Sequence, residues 1–345
     1  MRDIATVREL GAADRQAWDS FVLSMTNGTF FHLSSWKGII ESVFGHRTRY
    51  LLAERDGQIV GVLPLAEVRS RIFGHSVSSL PFCVYGGAVA ADEGAQRSLH
   101  EAGVAFAREV GASYLELRNT GAKERSWPVQ DLYVTFRKEL LPDVEANMLA
   151  IPRKQRAMVR KGIKAELRSE IDESVDRFFE LYADNVHRHG TPPFPKRYFQ
   201  ELKRVFGDAC ECLIVVDKNG TPVSGVMSFY FKDEVLPYYA GDLTAARDLA
   251  ANDFKYWELM RRACERGCRI FDYGRSKKGT GSYDFKKNWG FEPASLSYEY
   301  CLLTVDRIPE NNPMNPKYRL FIEAWRRLPR PVVNFLGPRI VRNLG

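Results

Sequence analysis

The sequence predicts an α/β (α+β) protein made of two tandem mixed-sheet domains related by internal duplication. Three observations lead there: a hairpin signature that occurs twice, an apolar strand after each hairpin, and a helix, Gly and short strand that close each copy. The copies lie roughly 160 residues apart, too long a period for a solenoid and suited to a repeated domain.

In chain order, Arg49–Glu54 is strand-like, Asp56-Gly57 is a turn, and Ile59–Glu67 alternates back. An apolar strand follows over Ser79–Val89. The helix Arg97–Val110, Gly111 and the strand Ser113–Leu117 end the first copy. Ile151-Pro152 stops that half, so the boundary is placed near residue 150. A basic helix over 153–168 leads into the long helix Ser174–His189. The second hairpin runs Cys212–Asp217, turns at Asn219-Gly220 and returns from Val223 to Phe231, with Val235–Ala240 as the next strand. The helix Asp253–Arg266, Gly267 and the strand Arg269–Tyr273 then align with their counterparts, Gly111 against Gly267. Prolines 309, 313, 316, 329, 331 and 338 break the remainder into a partly helical appendage. The expected domains are thus 1–150 and 151–308, with a basic tail over 309–345.

At 345 residues and 45% hydrophobic content the chain buries a sizeable core. No stretch reaches the roughly 18 apolar residues of a membrane span, and Met1-Arg2-Asp3 leads into no signal-peptide core, so the expected compartment is the cytosol. Six cysteines without a C-x-x-C pair suggest reduced core thiols rather than a disulfide framework or zinc site.

The formal charge of +7 is concentrated in two places. Residues 153–168 hold seven Lys/Arg against Glu166, and 317–345 hold seven against Glu323, leaving the rest net acidic. Such patches point to local anion binding.

Gly274–Pro293, GRSKKGTGSYDFKKNWGFEP, together with Phe30-Phe31-His32-Leu33-Ser34-Ser35-Trp36 and the basic helix between the halves, resembles the FemAB family of acyltransferases. Asn312–Tyr318 resembles the tail of the subgroup associated with PEP-CTERM/exosortase and exopolysaccharide gene sets. The resemblance implies two tandem GNAT-like domains and transfer of an acyl or aminoacyl group to an amine of a cell-envelope or exopolysaccharide precursor. It implies no tightly bound cofactor, aminoacyl-tRNA or acyl-CoA as co-substrate, and no DNA partner. The family's lysine in its F-K pair matches Lys286 after Phe285. Where members acting on nucleotide-linked precursors carry a phosphate-binding lysine four residues after the Trp, this chain has Ile40, with Lys37 nearby.

Acyl transfer needs a neutral amine, a positioned carbonyl and donors at the developing oxyanion. Lys286 is the candidate donor, or else a surface lysine after a buried Phe285. Asp272, Tyr273, Tyr283 and Asp284 surround the segment as candidate proton acceptors. Arg275, Lys277 and Lys278, in a Gly-rich loop after the strand, are candidates for anion binding or a solvated loop. The loop lacks the R-x-x-G-x-G/A pyrophosphate pattern of ordinary acetyl-CoA-dependent enzymes. Asp242 ends a strand where substrate would enter, and Arg188 closes the helix before a Pro-rich loop. Trp36 and Lys37 are candidate acceptor contacts, and the cleft between halves is the expected acceptor entrance. Arg156 and Arg160 belong to a positive stripe that either contacts phosphate or is a solvated face. Over Tyr318–Leu328, Leu320, Phe321 and Trp325 alternate with arginines, a pattern for a capping helix or for peripheral contact with the inner face of the membrane. The rival readings are a CoA-dependent N-acyltransferase acting on an amino sugar and a noncatalytic RNA- or membrane-binding adaptor.

Overall fold

Asp56 and Gly57 both take positive φ, 52° and 73°, as a two-residue hairpin turn requires, and the flanking strands pair from Arg55↔Gln58 to Thr48↔Ala66. A computed structural model describes residues 5–70, 73–121, 127–309 and 316–344, the side chains of 316–319 excepted. Met1–Asp3 and the tail motif at 312–315 lie outside the described residues.

By its contacts the chain divides into two units, 1–133 with 295–311 and 342–345, and 134–294 with 312–341. The first contains β1 (Thr6–Glu9), α1 (Arg15–Ser24), α2 (Ser35–Ile39), β2 (Thr48–Arg55), β3 (Gln58–Ser70), β4 (Gly74–Ser79), β5 (Val89–Ala90), α3 (Glu93–Glu109), β6 (Tyr114–Asn119) and β7 (Val129–Gln130). The chain continues through β8 (Tyr133–Glu139), α4 (Val144–Ala150), α5 (Arg153–Lys164), β9 (Arg168–Asp172), α6 (Asp176–Arg188) and α7 (Lys196–Phe206). The second hairpin is β10 (Cys210–Val216) and β11 (Pro222–Phe231), followed by β12 (Glu234–Asp242), α8 (Ala251–Glu265), β13 (Ile270–Lys277), α9 (Gly281–Asn288) and β14 (Pro293–Ser295). The chain then returns to the first unit as β15 (Ser297–Leu302) before α10 (Pro316–Arg326) and α11 (Arg330–Val341). Residue 150, the expected boundary, ends α4 within the second unit.

The first sheet has the order β1-β2-β3-β4-β6-β15-β7, with β5 on β3, and β4 runs parallel to β6. The second has the order β14-β8-β13-β12-β11-β10-β9, with β12 parallel to β13. Each parallel pair is joined by the helix that the sequence places there, α3 or α8, as a crossover requires. Leu63, Leu65, Leu99, Phe106 and Leu115 centre the first core. Phe136, Val226, Phe254, Trp257, Phe271 and Trp289 centre the second.

Three expected elements are corrected. The strand expected over Ser79–Val89 is absent, because β4 stops at Ser79 and the chain resumes as β5 at Val89. Pro81 lacks an N–H and Phe82 takes φ 67°, so the ladder cannot continue. The basic helix ends at Lys164, since Glu166 turns the chain with φ 58° and Arg168 opens β9. The loop expected from Gly274 is strand as far as Lys277. Among the described residues no helix is long and apolar enough to cross a membrane.

Candidate functional site

β12 and β13 are registered to each other only at Glu234↔Ile270 and Val235↔Phe271. On its other side β12 carries an irregularity, Met227 pairing Tyr239 while Ser228 pairs Pro237, so Tyr238 is the extra residue of a bulge. Beyond these points the strand ends bring a polar set into an otherwise apolar interior. α6 packs hard on this end of β12, since a Cβ at Gly241 would stand 2.4 Å from the Leu181 carbonyl carbon and the Tyr182 nitrogen.

The centre of the set is Asp242. Its Oδ1 accepts from Lys255 Nζ at 2.7 Å and from Ser224 Oγ. Lys255 projects from the first turns of α8 and is 0% exposed, whereas the Asp242 side chain keeps 28% exposure. A buried cation therefore holds a carboxylate that solvent still reaches. Arg188, at the C-terminus of α6, donates to the Asp242 carbonyl and pairs with Asp184 at 2.8 Å, fastening that helix end to β12. Two expected residues, Asp242 and Arg188, are thus brought together.

On β13, Tyr273 is buried and its hydroxyl has no hydrogen-bond partner among the described residues. Its ring sits 4.7 Å from that of Tyr256 and 4.9 Å from that of Phe291. Burial, with the nearby charges of Asp253 and Asp242, pushes its phenol well above the ordinary range, so it keeps its proton and remains a donor. Asp253 accepts from Trp289 Nε1 at 3.0 Å, and burial raises its carboxyl.

Lys286 is buried on α9, and its ammonium points at three backbone carbonyls: Tyr273 at 2.7 Å, Gly274 at 3.0 Å and Arg275 at 3.1 Å. Burial lowers it to about 7 against the opposing pull of Asp272. Three donors meet three acceptors, which fixes the end of β13. Asp272, on the opposite face of the strand, accepts from Arg137 Nη1 at 3.1 Å and from the Gly274 N–H at 2.7 Å. Tyr283 lies half-buried, edge-on to Phe136 at 5.4 Å, and Phe285 packs on Tyr256 at 5.7 Å and Trp289 at 6.0 Å. Arg275 and Lys277 are half-buried at the strand end, while Lys278 is exposed.

The remaining expected residues make contacts of their own. On α5, Arg156 donates to the Leu149 carbonyl at 2.8 Å and Arg160 is exposed. In the first unit Trp36 is fully buried, its Nε1 donating to the Phe30 carbonyl at 3.1 Å, and it packs among Phe30 and Phe31. Lys37 is engaged by Glu41 and by Thr48 at 2.9 Å. Sequence reasoning missed Lys255, Ser224, Asp253 and Tyr256. One signal was present: Lys255 stands on the buried stripe of α8, four residues from Ala251 and from Leu259.

Residues 151–287 match the acetyltransferase (GNAT) domain family. FemX superposes over 92% of this chain and 100% of its own, with a TM-score of 0.66 at 16% identity. A tandem GNAT protein from the clavulanic acid biosynthesis pathway covers 88% of this chain and 100% of its own, with a TM-score of 0.56 at 12% identity. L-PGS from Bacillus licheniformis covers 93% and 99%, with a TM-score of 0.55 at 12% identity. No curated protein matches the chain. These likenesses give the fold, two tandem GNAT-like domains, and with the family match over 151–287 the chain is an acyltransferase.

Proposed function

We propose that the second unit transfers an acyl or aminoacyl group to the amine of a cell-envelope or exopolysaccharide precursor at the open end of β12 and β13. The observation that carries this reading is the buried, unpartnered Tyr273 hydroxyl within electrostatic reach of Asp242. Leaving a buried hydroxyl unsatisfied costs about 1–3 kcal/mol, a cost that a bound acyl carbonyl offsets by accepting its hydrogen bond.

In this reading the amine nitrogen attacks the donor carbonyl, a C–N bond forms, the C–S bond of a thioester or the C–O bond of an ester breaks, and the departing sulfur or oxygen takes the second proton that the nitrogen sheds on becoming an amide. Tyr273 donates to the oxygen that becomes negative, and Asp242, held in place by Lys255, takes the proton the ammonium must lose. Lys286 acts through the main chain, holding the carbonyls of 273–275 so that Tyr273 is aimed. The GNAT match over 151–287 favours acyl-CoA over aminoacyl-tRNA as donor. An acceptor built on a lipid carrier would bring the reaction to a membrane surface, on which the C-terminal helices bear.

The test is single-turnover transfer from labelled acyl-CoA and, in parallel, aminoacyl-tRNA to amine-bearing glycan precursors, with Tyr273→Phe and Lys286→Ala beside the wild type. Transfer from one donor that collapses in Tyr273→Phe supports the site. Transfer indifferent to that change removes the chemistry from β13, and no transfer from either donor favours a binding protein.

A further inference from the structure

Ten large apolar residues are conspicuously exposed among the described residues, and five of them fall on α10 and α11: Leu320, Phe321, Val332, Phe335 and Leu336. Leu320 is 78% exposed and Phe335 60%. On α11 the pattern is regular. Val333, Gly337 and Val341, at i, i+4 and i+8, are buried, while Val332, Phe335 and Leu336, at i, i+3 and i+4, face outward with Arg339 next in the same row. A helix that packs one apolar stripe against its own unit and presents a second to solvent has more apolar face than the fold uses.

The inner stripe is closely fitted, so the outer one is held in place. A Cβ at Gly337 would stand 2.4 Å from Pro193 Cδ, and one at Gly190 2.5 Å from Ile322 Cγ2. His187 on α6 bonds to the Trp325 carbonyl at 3.2 Å, and Arg330 pairs with Glu180 at 3.1 Å. Exposed Arg326 on α10, Arg330 and Arg339 on α11, and Arg327 in the turn between them stand against Glu323 alone within this segment. The Arg339 guanidinium lies 3.9 Å above the Phe335 ring, placing charge and apolar surface side by side.

We propose that α10 and α11 form a peripheral docking face for an anionic lipid bilayer. Apolar side chains enter the boundary between headgroups and acyl chains, and the arginines meet lipid phosphates, each basic residue near such a surface contributing about fivefold in affinity. With 11 and 12 residues the helices are too short to span and suited to lying in the interface. A nucleic-acid surface would use the arginines and leave Leu320, Phe335 and Leu336 without a partner, which favours the bilayer.

The experiment is flotation of the full chain with large vesicles of phosphatidylcholine, alone or mixed with phosphatidylglycerol, at low and physiological salt. Wild type is expected to float with the mixed vesicles, weakening with salt, and to stay behind with phosphatidylcholine alone. The double variant Phe335→Glu/Leu336→Glu, and Leu320→Glu separately, are expected to lose about tenfold or more in partitioning. Leu149→Glu, which charges a 64% exposed leucine on α4, should float like wild type. Unchanged melting midpoints show that each variant is folded, and Leu320→Glu carries the test if the double variant is not. Failure to float, flotation indifferent to both variants, or a dimer broken by Phe335→Glu/Leu336→Glu without vesicle binding would overturn the proposal, as would salt-dependent RNA binding without flotation.

Discussion

In the first unit α3 leads into β6 and in the second α8 leads into β13, and setting Gly111 on Gly267 puts Leu99 opposite Lys255 and Leu117 opposite Tyr273. All four side chains are buried. The same two core positions are leucines in one copy and a lysine and a tyrosine in the other. A plan that is stable with leucine does not need the polar pair for folding, and burying an ammonium and an unbonded hydroxyl opposes stability. The second unit keeps them at the strand ends where β12 and β13 part, while β4 and β6 remain registered over four residues, Ser76↔Tyr114 to Ser79↔Leu117. The difference supports the proposal that puts the chemistry in the second copy.

The hardest blow to this comparison would be a first unit that tolerates the lysine. Leu99→Lys is expected to destabilise by about 4 kcal/mol, in the range for an uncompensated buried charge, read from urea unfolding followed by tryptophan fluorescence. Tyr273→Phe should lower kcat/KM by about a hundredfold, as for the loss of an oxyanion donor, with unfolding free energy unchanged or raised by about 1 kcal/mol because the deleted hydroxyl has no partner.

Lys286 sharpens the comparison through pH. Its folded value near 7 lies below the unfolded one of 10.5, so between these pH values the unfolded chain binds more protons and stability rises with pH. The buried charge is a burden below pH 7 that is fully relieved only above 10.5. Relative to Lys286→Met, the wild type should therefore gain about 2 kcal/mol between pH 7 and pH 9, seen as converging or crossing melting curves; parallel curves would show that burial does not penalise this amine. The smallest effect expected is that of Lys255→Leu, about tenfold in kcat/KM, because Asp242 retains Ser224 and partial contact with water.

Much of the fold was legible because its signals are local. The Asp56-Gly57 turn, the glycines at 111 and 267 and the apolar stripes of α3 and α8 each specify a few neighbouring residues. The candidate site was legible only in part. Asp242, Arg188, Lys286 and Phe285 were picked out, but their partners are set by tertiary contacts: Lys255 is 13 residues from Asp242, and Arg137 is 135 residues from Asp272. Trp36 lies in a motif that reads as a contact site, yet its neighbours Phe30 and Phe31 enclose it. The Gly-rich segment from Gly274 looked like a loop because glycine disfavours strands; β13 nevertheless runs through it to Lys277, with Gly274 at φ 65° and the carbonyls of 273–275 turned to Lys286.

β15 has a consequence for the order of events during synthesis. It lies between β6 and β7, pairing Ser297↔Asn119 through Leu302↔Tyr114, although almost all of the second unit separates them along the chain. The ribosome must deliver residue 302 before the amino-terminal sheet can close. Until then β6 is a bare edge, ready to pair with any extended strand nearby. A product that stops at residue 150 keeps that edge for good and is expected to aggregate, whereas in the full chain the segment made after residues 134–294 supplies the strand that finishes the first unit.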